Sequence, residues 1–252
     1  MNLNSGKIPT IEIGFDNRSH IANIKHVKGR RMPEEIATPE TGADALLTAL
    51  RATGVRYLFA NAGTDFPPLI EGLARLPATA VPEPVTIPHE TPAVGMAHGY
   101  WLATGAPQAI MVHVNVGLAN AAMGVINARA DNVPMLVRSG RTPLTETGRV
   151  GGRVTPIQYG QDMFDQTSIV RDSVKFDYEV RFPEQCDSVL KRASSIARSA
   201  PEGPVYLSLP REPLAQALPE DFATAPDIAP ARPALPDPEA VGTLAEWLSV
   251  AE

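Results

Sequence analysis

The sequence predicts an α/β fold: a parallel sheet of about six strands with helices on both faces. Two patterns and the composition carry this. From Thr41 to Leu209, short apolar runs rich in β-branched residues alternate with stretches whose apolar residues fall at helical spacing. Strands separated by helices indicate parallel pairing, and a parallel sheet is covered on both faces. A chain of 252 residues that is 44% hydrophobic and 20% charged can bury a sizeable core, in one large α/β domain or two small ones.

The elements follow in order. Residues 1–37 mix charges, Gly and Pro without a sustained period and are expected to form a poorly ordered leader, its basic stretch Arg18 to Arg31 a solvated arm. Thr41 caps a helix that Gly54 ends, and Val55 to Ala60 reads as a buried strand. A helix starting after Asp65 carries Leu69, Ile70 and Leu73; Val85 to Ile87 is a strand; Glu90 to Ala103 is a helix. Strand Gln108 to Val114, helix Leu118 to Ala130 and strand Val133 to Val137 come next. After a Gly- and Thr-rich loop, strands Val174 to Val180 and Val205 to Leu209 enclose a helix from Pro183 to Ser199. The folded domain is therefore expected over residues 38–213. Eight prolines between Pro210 and Pro238 mark an extended linker within the remaining residues 214–252.

Charge and composition exclude several function classes. The net charge is −6, but residues 201–252 hold nine acids against Arg211 and Arg232, a net of −7, which leaves +1 for the first 200. A near-neutral body with an acidic tail gives no reason to expect a nucleic-acid partner. Thr91 to Ala128 lacks Asp, Glu, Lys and Arg, but Gly, Pro, His and Asn interrupt it too often for a membrane helix. The single cysteine, Cys186, excludes an internal disulfide framework. With no secretory signal at the N-terminus, a cytoplasmic protein is expected.

The common catalytic motifs are missing. His89-Glu90 is followed by His98 rather than by a histidine four residues on, so two zinc ligands do not share a helical face. There is no Gly-rich dinucleotide fingerprint, no phosphate loop and no Gly-x-Ser-x-Gly elbow. No metal-binding residues are assigned.

What remains is Glu90, at the junction of a strand and a helix and followed by 38 uncharged residues. An acid there is expected to be shielded from water and ready to share a proton with a ligand nitrogen. The plainer reading is a helix-start acid stabilised by the helix dipole. In parallel sheets, ligands bind beyond the carboxyl ends of strands, here the loops after Ala60, Ile87, Val114 and Val137.

Val55-Arg-Tyr-Leu-Phe-Ala-Asn-Ala-Gly-Thr, then His89-Glu-Thr-Pro-Ala-Val-Gly-Met-Ala-His-Gly-Tyr-Trp-Leu-Ala-Thr-Gly, Gly117-Leu-Ala-Asn-Ala and Asp131-Asn-Val-Pro-Met-Leu together resemble the thiamine-diphosphate enzyme family. The similarity is to the N-terminal pyrimidine-binding domain of acetolactate-synthase-like and 2-keto acid decarboxylase-like members. It continues through Gln161-Asp-Met-Phe-Asp-Gln, Val174-Lys-Phe-Asp-Tyr-Glu-Val and Gly203-Pro-Val-Tyr-Leu-Ser-Leu-Pro-Arg, covering about residues 40–213.

The resemblance implies that Glu90 hydrogen-bonds N1′ of the aminopyrimidine of thiamine diphosphate, so that the cofactor loses its C2 proton and a 2-keto acid adds there and loses carbon dioxide. It places Ala62, Gly63 and Thr64 in a turn close to the pyrimidine, though a turn glycine alone would explain Gly63. Gly117 and Asn120 match the end of a Thr-Ser-Gly-Pro-Gly-x-x-Asn pattern. Here that stretch reads His113-Val-Asn-Val-Gly-Leu-Ala-Asn. His113 thus becomes either a substrate or proton-relay group or a satisfied polar residue at a strand end. Gln161 falls in the family's Gln-containing loop, while Met96 and His98 are expected to be packing residues.

Relatives carry a middle domain and a diphosphate-binding domain that holds Mg2+ through a Gly-Asp-Gly motif and an Asn. Neither occurs here, and residues 240–252 resemble the first helix of the middle domain cut short. No flavin is expected. Leu244, Trp247 and Leu248 form an apolar face that implies a missing partner, unless the tail is simply flexible. A homodimer through the Glu90 face, a second polypeptide carrying the diphosphate domain, or both would complete a decarboxylase or carboligase. The alternative is a non-catalytic structural or regulatory module, or a truncated remnant, of the same family.

Overall fold

The computed structural model describes residues 38–251; the expected leader and its basic stretch lie outside them. The elements are α1 (Gly42–Ala52), β1 (Tyr57–Ala60), α2 (Pro67–Arg75), β2 (Glu83–Thr86), α3 (Glu90–Thr104), β3 (Ala109–Val112) and α4 (Val114–Ala130). They continue with β4 (Leu136–Arg141), α5 (Ile157–Gly160), β5 (Asp177–Glu179), α6 (Gln185–Arg198), β6 (Val205–Pro210), α7 (Arg211–Ala215) and α8 (Pro238–Ser249). The six strands form one parallel sheet in the order β2-β1-β3-β4-β6-β5.

Alternation along the strands divides the core into two layers. Leu58, Ala109, Met111, Leu136, Val205, Leu207 and Leu209 face the side covered by α1, α2, α6 and α7. Phe59, Ile110, Val112, Val137 and Tyr206 face α3 and α4. At α1, Thr41 and Asp44 form a capping box, and the buried Asp44 also pairs with Arg75 of α2. Between α3 and α4 the crossing is close because Gly124 leaves room for the Val94 side chain.

Several element boundaries differ from the sequence reading, among them β5, which is shorter than Val174 to Val180, and β2, which starts two residues before Val85; two others have a clear physical cause. The fourth strand is Leu136–Arg141 rather than Val133 to Val137, because its polar end is satisfied inside the protein. Ser139 Oγ and Tyr206 Oη lie 2.7 Å apart, and Gln166 Nε2 donates to Ser139 Oγ (2.7 Å) and to the Gly140 carbonyl (2.8 Å). The fourth helix starts at Val114, four residues before Leu118. Asn115 and Gly117, poor helix formers, hide that first turn from a periodicity reading.

Arg138 is the least expected core residue. It is fully buried on β4, and its guanidinium makes only two long contacts, 3.4 Å each, to the Ile110 carbonyl. Nη1 is buried without a partner, and burial pulls the guanidinium pKa down to about 9. A buried charge with so little compensation is costly. We expect Arg138→Met, which keeps most of the apolar stem, to stabilise the protein by about 1–3 kcal/mol, read as a higher urea midpoint. A lower midpoint would mean that the charge is compensated after all.

Beyond β6, α7 buries Pro213 and Leu214, and the chain stays attached: the Gly42 amide donates to the Gln216 carbonyl and the Leu218 amide to the Glu40 carbonyl. Leu218 and Phe222 pack against the core layer of α1 and α6. In α8, by contrast, Val241, Leu244, Trp247 and Leu248 are all exposed.

Candidate functional site

The strand order reverses between β1 and β3: β2 follows β1 on one side, whereas β3 and β4 continue on the other. The carboxyl ends of the strands at such a reversal are the usual ligand position in parallel sheets, and here the ends of β1 and β3 pack together, the His113 ring lying against the Gly63 turn. The candidate residues collect at this edge. Ala62, Gly63 and Thr64 follow β1, Glu90 opens α3 after β2, and His113 sits between β3 and α4. Gly117 and Asn120 lie in the first turns of α4, and Gln161 directly follows α5.

Glu90 is buried at the start of α3, where His89 caps the helix by accepting from the Thr91 amide through Nδ1 (3.2 Å). Asn120 Nδ2 donates to Glu90 Oε2 (3.0 Å), which fixes the carboxylate against α4. A Cβ on Gly117 would lie 3.1 Å from Glu90 Oε1 and 3.1 Å from the Val112 Cβ, so glycine keeps this cradle open. A buried carboxylate with a fixed orientation, one oxygen over a residue without a side chain, suits a flat nitrogen heterocycle that needs a proton-sharing partner. The residues present thus fit the aminopyrimidine of thiamine diphosphate.

Beside Glu90 lies a second group that the sequence reading missed. Asp65, after which a helix is expected to start, does not cap that helix; Phe66 occupies the N-cap position and makes no side-chain cap bond. Asp65 is instead buried against His113, with Oδ1 2.5 Å from Nδ1, and Oδ2 accepts from the Val114 amide (3.2 Å). Val114 has φ +32°, a strained value for a β-branched residue, so this bond helps to hold an unfavourable turn. The hydrogen bond that His113 donates to Asp65 raises the His113 pKa above 6.5; burial opposes it, and the negative charges of Asp65 and Glu90 add to it. His113 is thus a satisfied polar residue at the strand end, bonded to Asp65.

Two glycines make room for this pair. The space that a Gly63 side chain would fill is taken by the His113 ring, and the space beside Gly140 by the Asp65 carboxylate. On the far side of the ring, His113 Nε2 faces Gln161 Nε2 at 3.2 Å, while Gln161 Oε1 is buried without a partner. As placed, the amide donates to a neutral imidazole; turned by 180°, it would accept from a protonated one. Gln166 anchors the segment that carries Gln161, through its bonds to β4.

Ala62 and Thr64 are exposed in their turn, and the Thr64 carbonyl accepts from Arg211 Nη1 (3.2 Å). Met96, expected as a packing residue, is exposed on the outer face of α3, whereas His98 Nε2 lies 3.4 Å from the Asp131 carboxylate. Among the described residues, no three His, Cys, Asp or Glu side chains gather into a metal-binding cluster. No helix among them is long and apolar enough to cross a membrane.

Residues 40–169 match the family described as "Thiamine pyrophosphate enzyme, N-terminal TPP binding domain". The chain is 30% identical over 175 residues to the acetolactate synthase large subunit of Haemophilus influenzae, covering 68% of this chain and 28% of that protein. It is 30% identical over 183 residues to acetolactate synthase 2 of Nicotiana tabacum, covering 73% of this chain and 25% of the relative. The chain thus spans little more than a quarter of these relatives' length. Among solved structures, a thiamine diphosphate-dependent 4-hydroxybenzoylformate decarboxylase from Rhodococcus jostii superposes with a TM-score of 0.67 at 25% identity, over 82% of this chain and 37% of that one. A benzoylformate decarboxylase from Polynucleobacter necessarius, at 22% identity and a TM-score of 0.65, shares the fold over 85% of this chain and 37% of its own.

Proposed function

The chain belongs to the thiamine pyrophosphate enzymes, as their N-terminal cofactor-binding domain, and we propose that it supplies the aminopyrimidine site of a 2-keto acid decarboxylase or carboligase. The observation that carries this reading is Glu90, buried over Gly117 and held by Asn120. When bound, thiamine diphosphate supplies the electron sink on which a 2-keto acid can lose carbon dioxide. Glu90 shares a proton with the ring nitrogen, and Asn120 keeps the carboxylate from rotating away. Gly117 lets the ring approach. His113, charged more readily because of Asp65, stands close enough to Glu90 to feel its charge and serves as the proton donor or substrate contact at the mouth of the site. Gln161 supports either protonation state of that imidazole.

Diphosphate and Mg2+ binding are assigned to a domain other than this one, on the same chain or on a partner. The outer faces of α3 and α4 suit such a partner, or a second copy of the chain. Both helices bury one side against the sheet and expose Met96, Leu102, Val116, Met123 and Ile126 on the other. Apolar patches of this kind mark association surfaces. We expect Met123→Glu to weaken self-association, or association with the diphosphate-binding polypeptide, by at least about tenfold in sedimentation velocity, because it places a charge in an apolar contact. Unchanged association would remove this face as the interface.

A further inference from the structure

Away from the candidate site, the Pro-rich segment after β6 lies along the outer face of α6, tied to it at four successive turns. We infer that the face of α6 formed by Asp187, Lys191, Ser195 and Ser199 is a docking track for residues 225–231 of this same chain. On this reading the docked strap, not the end of β6, sets where the chain turns toward α8.

The contacts form a ladder. Asp187 Oδ2 accepts from the Ala225 amide (2.6 Å), and Lys191 Nζ donates to the Ala225 carbonyl, so both backbone groups of Ala225 are engaged. Lys191 also lies 3.7 Å from Asp227, and Ser195 Oγ donates to the Ala229 carbonyl (2.9 Å). Ser199 Oγ donates to Ser195 O (2.7 Å) and accepts from the Ala231 amide (2.9 Å), which satisfies the hydroxyl as donor and acceptor.

The spacing explains why the rungs match. Four residues of helix rise about 6 Å, and two residues of extended chain span about 6.6 Å. Side chains at 187, 191, 195 and 199 therefore meet every second strap residue: 225, 227, 229 and 231. The strap sequence suits this register. Ala225, Ala229 and Ala231 allow a close approach, while Pro226 and Pro230, which lack an amide hydrogen, fall where the track asks for none. The Asp187–Lys191 ion pair (3.1 Å) is buried beneath the strap and makes its remaining bonds to strap backbone. An undocked strap would leave these charges with fewer partners. Between Ala231 and α8 only residues 232–237 are free of these ties, and Pro233 and Pro236 stiffen them.

This inference is independent of the thiamine diphosphate reading, and hydrogen exchange of the full chain resolved to single amides tests it. The Ala225 and Ala231 amides are expected to exchange more than about tenfold more slowly than unprotected amides of the same sequence. Ser199→Ala should release Ala231 with α6 protection unchanged, and Asp187→Ala should release Ala225. Unprotected rates at both amides in the wild type would overturn the proposal. So would protection that survives Ser199→Ala, a variant mild enough to fold.

Discussion

Glu90→Gln is expected to lower 2-keto acid turnover by about 10²–10⁴-fold, the range for losing a positioned acid–base group, in the enzyme completed by its diphosphate-binding domain. The substitution is nearly isosteric. The side-chain oxygen of the introduced amide can still accept from Asn120, and the cradle over Gly117 is unchanged, so neither fold nor access should suffer. What is lost is the ability to hand a proton to a ring nitrogen and take it back. Steady-state kinetics with saturating cofactor separates this from weak binding, since the loss should remain in kcat. A fall confined to the cofactor concentration needed for half-maximal rate would show that Glu90 only binds.

The second large effect is expected at Asp65. Asp65→Ala leaves the Val114 amide buried without an acceptor at a strained φ and removes the anchor of His113, a loss of about 2–4 kcal/mol in unfolding free energy. Asp65→Asn is milder and tests the charge. Because the folded-state pKa of His113 is raised above 6.5, the pair's stabilisation is fully present below pH 6.5 and fades as pH rises through the raised value. Asp65→Asn should flatten this part of the stability–pH curve and shift the His113 titration, followed by NMR, to lower pH. An unchanged titration would mean that Asp65 does not set the imidazole's charge.

Most of the fold was legible because buried parallel strands and the helices that cover them each leave a local pattern. The burial of Glu90 was legible for a similar reason, since it is the one acid bordering a long uncharged run at a strand–helix junction. Asp65 was not. An acid just ahead of a helix has an ordinary local explanation, and its real partner is 48 residues away, joined only when the ends of β1 and β3 come together. Arg138 was equally hidden, since nothing near it in sequence announces a cation buried in a central strand. The strap escaped for a third reason. Proline-rich chain reads as loose linker, and the groups that hold it are backbone amides and carbonyls, whose partners no residue pattern reveals.

Every role proposed for the site depends on Glu90 meeting the cofactor. The most direct test is calorimetric titration of the chain with thiamine diphosphate and Mg2+, alone and together with a polypeptide carrying the diphosphate-binding domain, for wild type and Glu90→Gln. Weak binding is expected for the chain alone, with tight binding and 2-keto acid turnover once the second polypeptide is present, and loss of that turnover in the variant. Binding and turnover that are the same in Glu90→Gln as in wild type, or no binding with any diphosphate-binding polypeptide, would contradict the assignment of Glu90.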